Sequence, residues 1–167
     1  MINFNRSGYY YGKRDYDRAL EIAKKATELD PNFADAHLRL LLIYGKVKRF
    51  DDARREAKLL AGLVKESFPQ MLTVAETTMA YVEGDKERVR KLLPELETHL
   101  GEPAGPGAID IAEFYFYIGE IDKGFEWVER AYSRNEYFLR YIKNDEFFDD
   151  VRGDARYQNI LRKIGLE

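Results

Sequence analysis

At 167 residues, 45% hydrophobic and 34% charged, the chain has the length and composition of a single domain with wet outer faces. A formal net charge of −3 gives no global attraction to nucleic acid or anionic lipid, and the absence of cysteine excludes disulfides and zinc–thiolate sites. The opening Met1-Ile2-Asn3-Phe4-Asn5-Arg6 lacks the apolar core of a signal peptide, and no run reaches the roughly 18 apolar residues of a membrane span, so a reducing, cytoplasmic setting is expected.

In chain order, residues 5–12 contain Ser7-Gly8-Tyr9-Tyr10-Tyr11-Gly12. Two glycines, each unfavourable by about 1 kcal/mol against alanine, predict a poor helix with its first turns frayed. Asp15 then stands where a helix cap belongs. Ala19, Leu20, Ala23, Ala26 and Leu29 follow at spacings of three and four, which puts them on one helical face. Asp30-Pro31 ends that helix, because proline disfavours helical geometry in the residue before it. The next helix is predicted over 33–46, with Ala36, Leu40, Ile43, Tyr44 and Val47 on one face and Leu38, Leu41 and Leu42 widening it, as for a helix flanked on both sides. Arg49-Phe50-Asp51-Asp52 starts another helix, striped by Ala53, Ala57, Leu60, Leu63 and Val64.

Beyond Phe68-Pro69, a helix is predicted over 71–82 from Leu72, Ala75, Met79 and Val82. Gly84-Asp85 turns the chain, and Val89, Leu92, Leu93, Leu96 and Leu100 mark the following helix. Pro94 predicts a kink or restart within it, since an interior proline costs about 3 kcal/mol. Residues 102–107 hold two Pro and two Gly and read as a linker. Ile109, Ala112, Phe116 and Tyr117 then open a fourth pair, turned at Gly119-Glu120 and completed by Phe125, Val128, Ala131 and Tyr132. The tail, from Tyr137, predicts two or three short helices.

The spacing carries an internal repeat. Tyr10, Tyr16 and Ala19 are matched 34 residues later by Tyr44, Phe50 and Ala53. With Pro31 closing the first copy and Gly84, Val89, Gly119 and Gly124 continuing the pattern, the chain resembles the tetratricopeptide repeat family. Ala19, Ala53 and Gly124 are small where two helices of a pair must approach, and Tyr16 and Phe50 are expected to plug the gap between pairs. The tail run 145–157, with Phe148, Arg152, Arg156 and Tyr157, is similar to a segment that closes such arrays in prokaryotic proteins. Glu146 and Ala155 here replace that segment's prolines. Phe148, Val151, Tyr157, Ile160, Leu161 and Ile164 are expected to cover the last repeat, and Asp154 to cap the final helix.

The resemblance implies an all-α, right-handed superhelix (an α-α solenoid) of about four helix pairs with C-terminal capping helices. Its array spans residues 1–134, in repeats of about 4–31, 34–67, 70–101 and 105–134, and its cap spans 135–167. It also implies a non-catalytic scaffold that binds a protein or peptide in a groove lined by the first helix of each pair. The residues it transfers to that groove are Tyr11, Asp35, Leu38, Arg39, Leu42, Lys46, Met71, Val74, Thr78, Tyr81, Glu113 and Phe116. The alternative is an oligomerisation or regulatory domain of a larger protein, with self-association through Tyr9-Tyr10-Tyr11 at the N-terminal edge. Some members of the family clamp a C-terminal carboxylate with two Asn, two Lys and one Arg. Phe4, Gly8, Arg39, Met71 and Ala75 stand there instead, so that activity is not expected.

No constellation for catalysis, cofactor or metal is expected. His37 and His99 lie in different repeats without an HExxH spacing, and His37 takes a position usually filled by a large aromatic. Asp145, Asp149, Asp150 and Asp154 lack the order of a calcium loop. There is no glycine-rich phosphate loop and no nucleophile-elbow serine. The basic clusters 54–58 and 88–91 alternate with acids, as solvated helix faces do, so no nucleic acid is expected.

Overall fold

The computed structural model describes residues 2–102 and 105–166; the linker residues Pro103 and Ala104 lie outside them. Eight helices run in consecutive antiparallel pairs: α1 (Ile2–Gly12) with α2 (Tyr16–Leu29), α3 (Ala34–Lys46) with α4 (Phe50–Val64), α5 (Gln70–Val82) with α6 (Lys86–Thr98), and α7 (Ala108–Ile118) with α8 (Ile121–Ser133). Two 3-10 segments, Tyr137–Tyr141 and Glu146–Val151, lead to α9 (Ala155–Lys163). Among the described residues there is no strand. The architecture is an all-α solenoid in which each pair packs on the next.

One turn recurs in every pair. The residue that leaves the first helix adopts a left-handed backbone: φ is 59° at Arg14, 59° at Lys48, 78° at Gly84 and 87° at Gly119. The next residue's N–H reaches back five positions, from Asp15 to Tyr10 O (3.0 Å), Arg49 to Tyr44 O (2.8 Å), Asp85 to Ala80 O (2.9 Å) and Glu120 to Tyr115 O (2.9 Å). This satisfies carbonyls that the helix end would otherwise leave open. Two of the four positions use glycine; arginine and lysine accept the less favourable geometry at the others. Four residues into each second helix come the small contacts Ala19, Ala53, Val89 and Gly124, all buried.

Four local expectations are corrected. Residues 2–12 form a complete helix rather than a frayed one. Buried Ser7 donates its hydroxyl to Ala19 O (2.9 Å), and Gly8 faces the Arg39 guanidinium, so α1 meets α2 and α3 at these residues. Pro94 neither ends nor restarts α6; it faces solvent, while Leu93 and Leu96 beside it are buried and offset its cost. Leu29, expected on the inner face of α2, is 81% exposed because it ends the helix beyond its contact with α3. Phe50 is 39% exposed at the first position of α4, so it does not plug the gap between pairs. Tyr16 does pack inward, edge-on to Tyr11 at 5.7 Å.

The tail is built as a cover. Phe148, Val151, Tyr157, Ile160 and Leu161 are buried in the same apolar cluster as α7 and α8, with Ile164 packed at its edge. Asp154 caps α9 by accepting from Arg156 N (2.8 Å), and Arg156 also pairs with Asp122 of α8 (2.7 Å). The Glu136 carboxylate accepts from Ala108 N (2.8 Å) and Ile109 N (3.1 Å), so the chain leaving α8 caps the start of α7.

Candidate functional site

The first helices of successive pairs lie side by side, α1 against α3 and α3 against α5, and the second 3-10 segment packs on α7. Glu146 is where these elements meet. Its Oε1 accepts from Tyr11 Oη of α1 (3.0 Å) and Tyr81 Oη of α5 (3.2 Å), and pairs with Lys46 Nζ of α3 (2.7 Å). Lys46 also donates to the Tyr81 hydroxyl and sits 4.7 Å from that ring's centroid. Three helix pairs thus present only donors to one carboxylate oxygen. Hydrogen bonds to a charged group in a half-buried setting contribute about 1.5–3 kcal/mol each when fully formed.

Phe147 fills the adjoining space. Its ring lies 4.7 Å from Tyr81 and 6.2 Å from Phe114, and Tyr81 is edge-on to Tyr117 at 4.8 Å. Beyond it, Asp149 pairs with Arg14 from the first turn and with Arg152 (2.8 Å). On the other side, Asp145 shares a hydrogen bond with Glu113 of α7 and accepts from Phe147 N (2.9 Å). Burial, reinforced by the neighbouring Glu146 carboxylate, raises the Tyr11 and Tyr81 hydroxyls well above the usual tyrosine range, so both remain donors.

The transferred groove residues divide into three groups. Tyr11, Lys46, Tyr81 and Glu113 converge on the segment 145–147, with Arg39 stacked over the Phe4 and Tyr11 rings (5.9 and 5.6 Å) behind them. Leu38, Leu42 and Val74 are half-buried, whereas Asp35 is exposed. Met71, Thr78 and Phe116 are buried instead of lining an open surface. Met71 joins Leu60 and Val64, Thr78 Oγ1 donates to Val74 O (2.8 Å), and Phe116 is edge-on to Phe125 and Phe148, each at 5.1 Å. The transfer did not include Arg14, Phe114, Glu146 or Phe147. The departure from proline at 146 was the signal available for the last two.

His37 is buried and hydrogen-bonded. Nδ1 meets Glu56 Oε2 at 2.7 Å and Nε2 meets Pro31 O at 2.9 Å, tying α3 to α4 and to the turn before it. Among the described residues, no group of three or more His, Cys, Asp or Glu is arranged to hold a metal ion. No helix among them is long and apolar enough to cross a membrane.

The carboxyls beneath the segment give it a pH dependence. Burial raises Asp110 to about 6, against the backbone N–H of Gly107 and with Glu136 and Asp145 adding repulsion. Burial likewise raises Glu113 and Asp145; Glu113 feels both Asp145 and Asp110, while Glu146 raises Asp145 and Arg39 and Arg152 provide partial compensation. An acid whose folded pKa is raised stabilises the fold below its unfolded value near 4, and that contribution is lost as pH climbs through the folded value. Stability is therefore expected to fall between pH 5 and pH 8, by about 1.4 kcal/mol from Asp110 alone, the rest of its contribution being lost already below pH 5. Glu113→Gln, whose amide still donates to Asp145, is expected to raise the pH 8 melting midpoint by about 4 °C. Thermal melts at both pH values test this, and a midpoint insensitive to both changes contradicts it.

Paired helices, a recurring left-handed turn and small residues at each close approach define a helical-hairpin repeat protein. Residues 10–72 match the family model for the tetratricopeptide repeat, so this part of the chain carries tetratricopeptide repeats. Such repeats are, in general, protein–protein interaction modules. No curated protein matches the chain.

Proposed function

We propose that the protein is a non-catalytic interaction scaffold whose groove, lined by the first helices, receives an extended segment of a partner protein. One observation carries this reading: donors from α1, α3 and α5 and rings from α5 and α7 already converge on a short 3-10 segment, with one carboxylate bonded three times. Extended or helical peptides are recognised by such combinations of side-chain pockets and charge-assisted bonds. On the same reading, residues 1–134 are the array, 135–167 its cap, and the absence of cysteine suits a reducing cytoplasm.

A displayed peptide library, panned against the protein and against Glu146→Ala/Phe147→Ala, tests the groove. Enriched sequences are expected whose binding drops at least ten-fold on Tyr81→Ala. Failure to enrich any peptide on either target overturns the reading.

Self-association is a second reading, and exposed aromatics favour it. Tyr9 on α1 is 61% exposed, although its neighbours Tyr10 and Tyr11 turn inward, and Tyr137, Phe138 and Tyr141 form an exposed ring cluster.

A further inference from the structure

The residues around 145–149 form a built site, and the segment within it shows the chemistry that fits. The polar subsite offers two tyrosine hydroxyls and one ammonium to Glu146, and every one is a donor. A carboxylate satisfies all three, a carboxamide oxygen lacks the charge that Lys46 demands, and a cationic side chain would face an ammonium. The aromatic subsite of Tyr81 and Phe114 takes the Phe147 ring edge-on or tilted. Arg14 waits at the far end for a second acid, now Asp149. The site therefore reads acidic, aromatic, any residue, acidic.

The occupant is fastened unevenly. Phe148 and Val151 are sunk in the body of the last repeat, whereas Glu146 and Phe147 are only half-buried and Asp149 is exposed. The outward side chains belong to a six-residue 3-10 segment, whose hydrogen-bond geometry is poorer than that of an α-helix. They can leave while Phe148 holds the cap in place. A tethered segment acts at an effective concentration of about millimolar, enough to mask any incoming segment of micromolar affinity.

We propose that this face is a receptor for a partner segment of the pattern acidic–aromatic–any–acidic, and that Glu146, Phe147 and Asp149 are its resident competitor. The inference rests on the groove reading and gives it a ligand class and a regulated state. In the resting protein the subsites are filled in cis; a partner bearing the same pattern, at higher affinity or local concentration, displaces Glu146, Phe147 and Asp149 and takes their contacts with Tyr11, Lys46, Tyr81 and Arg14.

The probe is a fluorescein-labelled peptide of residues 144–151, titrated by anisotropy against the whole protein, against Glu146→Ala/Phe147→Ala, and against that variant carrying Lys46→Glu. The opened variant is expected to bind at least ten-fold more tightly than the unmodified protein, and Lys46→Glu to reverse the gain. A probe with lysine in place of its glutamate is expected not to bind. Emission from Trp127, the only tryptophan, reports that each variant is folded. Glu146→Gln supplies a milder opened form should the double variant not fold. Equal affinity for closed and opened proteins overturns the competition. Tight binding of the lysine probe, or panned sequences without an acidic residue that still depend on Tyr81, overturns the ligand class and leaves the groove reading standing. If no displayed sequence is enriched, both fall.

Discussion

Phe148→Ala is expected to destabilise the protein by about 3–5 kcal/mol, lowering its melting midpoint by roughly 10 °C. Phe148 has no exposed surface, its ring lies 5.1 Å from Phe116 and 5.9 Å from Tyr157, and Val151 and Leu161 are buried in the same cluster. Truncation loses the transfer energy of the ring and leaves a void between α7 and α9 that neither helix can close without surrendering its own contacts. The neighbouring Phe147→Ala provides the control. That ring is half-buried against Tyr81 and Phe114 at the groove, so its loss should cost about 1 kcal/mol. Denaturant titrations of the two variants measure the contrast. Equal losses would mean that the tail is held as much by the groove as by the cap.

Gly124→Leu is expected to cost about 3 kcal/mol, with Gly124→Ala also destabilising although alanine is favoured by about 1 kcal/mol in a helix. A Cβ at Gly124 would come within 2.8 Å of Phe116 Cζ and closer still to Cε1. Phe116 cannot step aside, because Phe125 and Phe148 hold its other faces. Gly62 in α4 gives the opposite sign. It is exposed, and a Cβ there meets nothing within 4 Å, so Gly62→Ala should stabilise by about 0.5–1 kcal/mol. Chemical denaturation of the three variants decides this, and a neutral Gly124→Ala would show that α7 and α8 can part locally.

How far the sequence reveals this structure depends on the range over which each feature is encoded. Gly84-Asp85 and Gly119-Glu120 announce their turns because glycine tolerates the left-handed backbone. Arg14 and Lys48 adopt the same φ without announcing it, so those turns are legible only through the 34-residue register. Of the residues the resemblance transfers to the groove, Tyr11, Lys46, Tyr81 and Glu113 lie around the segment 145–147, whereas Met71 and Phe116 are buried. On a helix, successive residues are about 100° apart, so a small error in register exchanges groove for core. Over residues 5–12 intrinsic propensity penalises glycine, while the contacts that hold the helix, such as Ser7 to Ala19, come from α2 and α3. The place of Glu146 and Phe147 is the hardest to read, since their partners lie up to 135 residues away and the one local cue, glutamate in place of proline at 146, does not name them.

That long reach alters how the array must come apart. In an open solenoid each unit touches only its neighbours, and the ends fray independently of the middle. Here the Tyr11–Glu146 and Arg14–Asp149 bonds join the first pair to the segment after the last, while Glu136 fastens that segment's base to α7. The chain is clasped on itself like a bracelet: neither end can come away without breaking these bonds, and opening the clasp at Glu146 restores a one-dimensional array with two free ends.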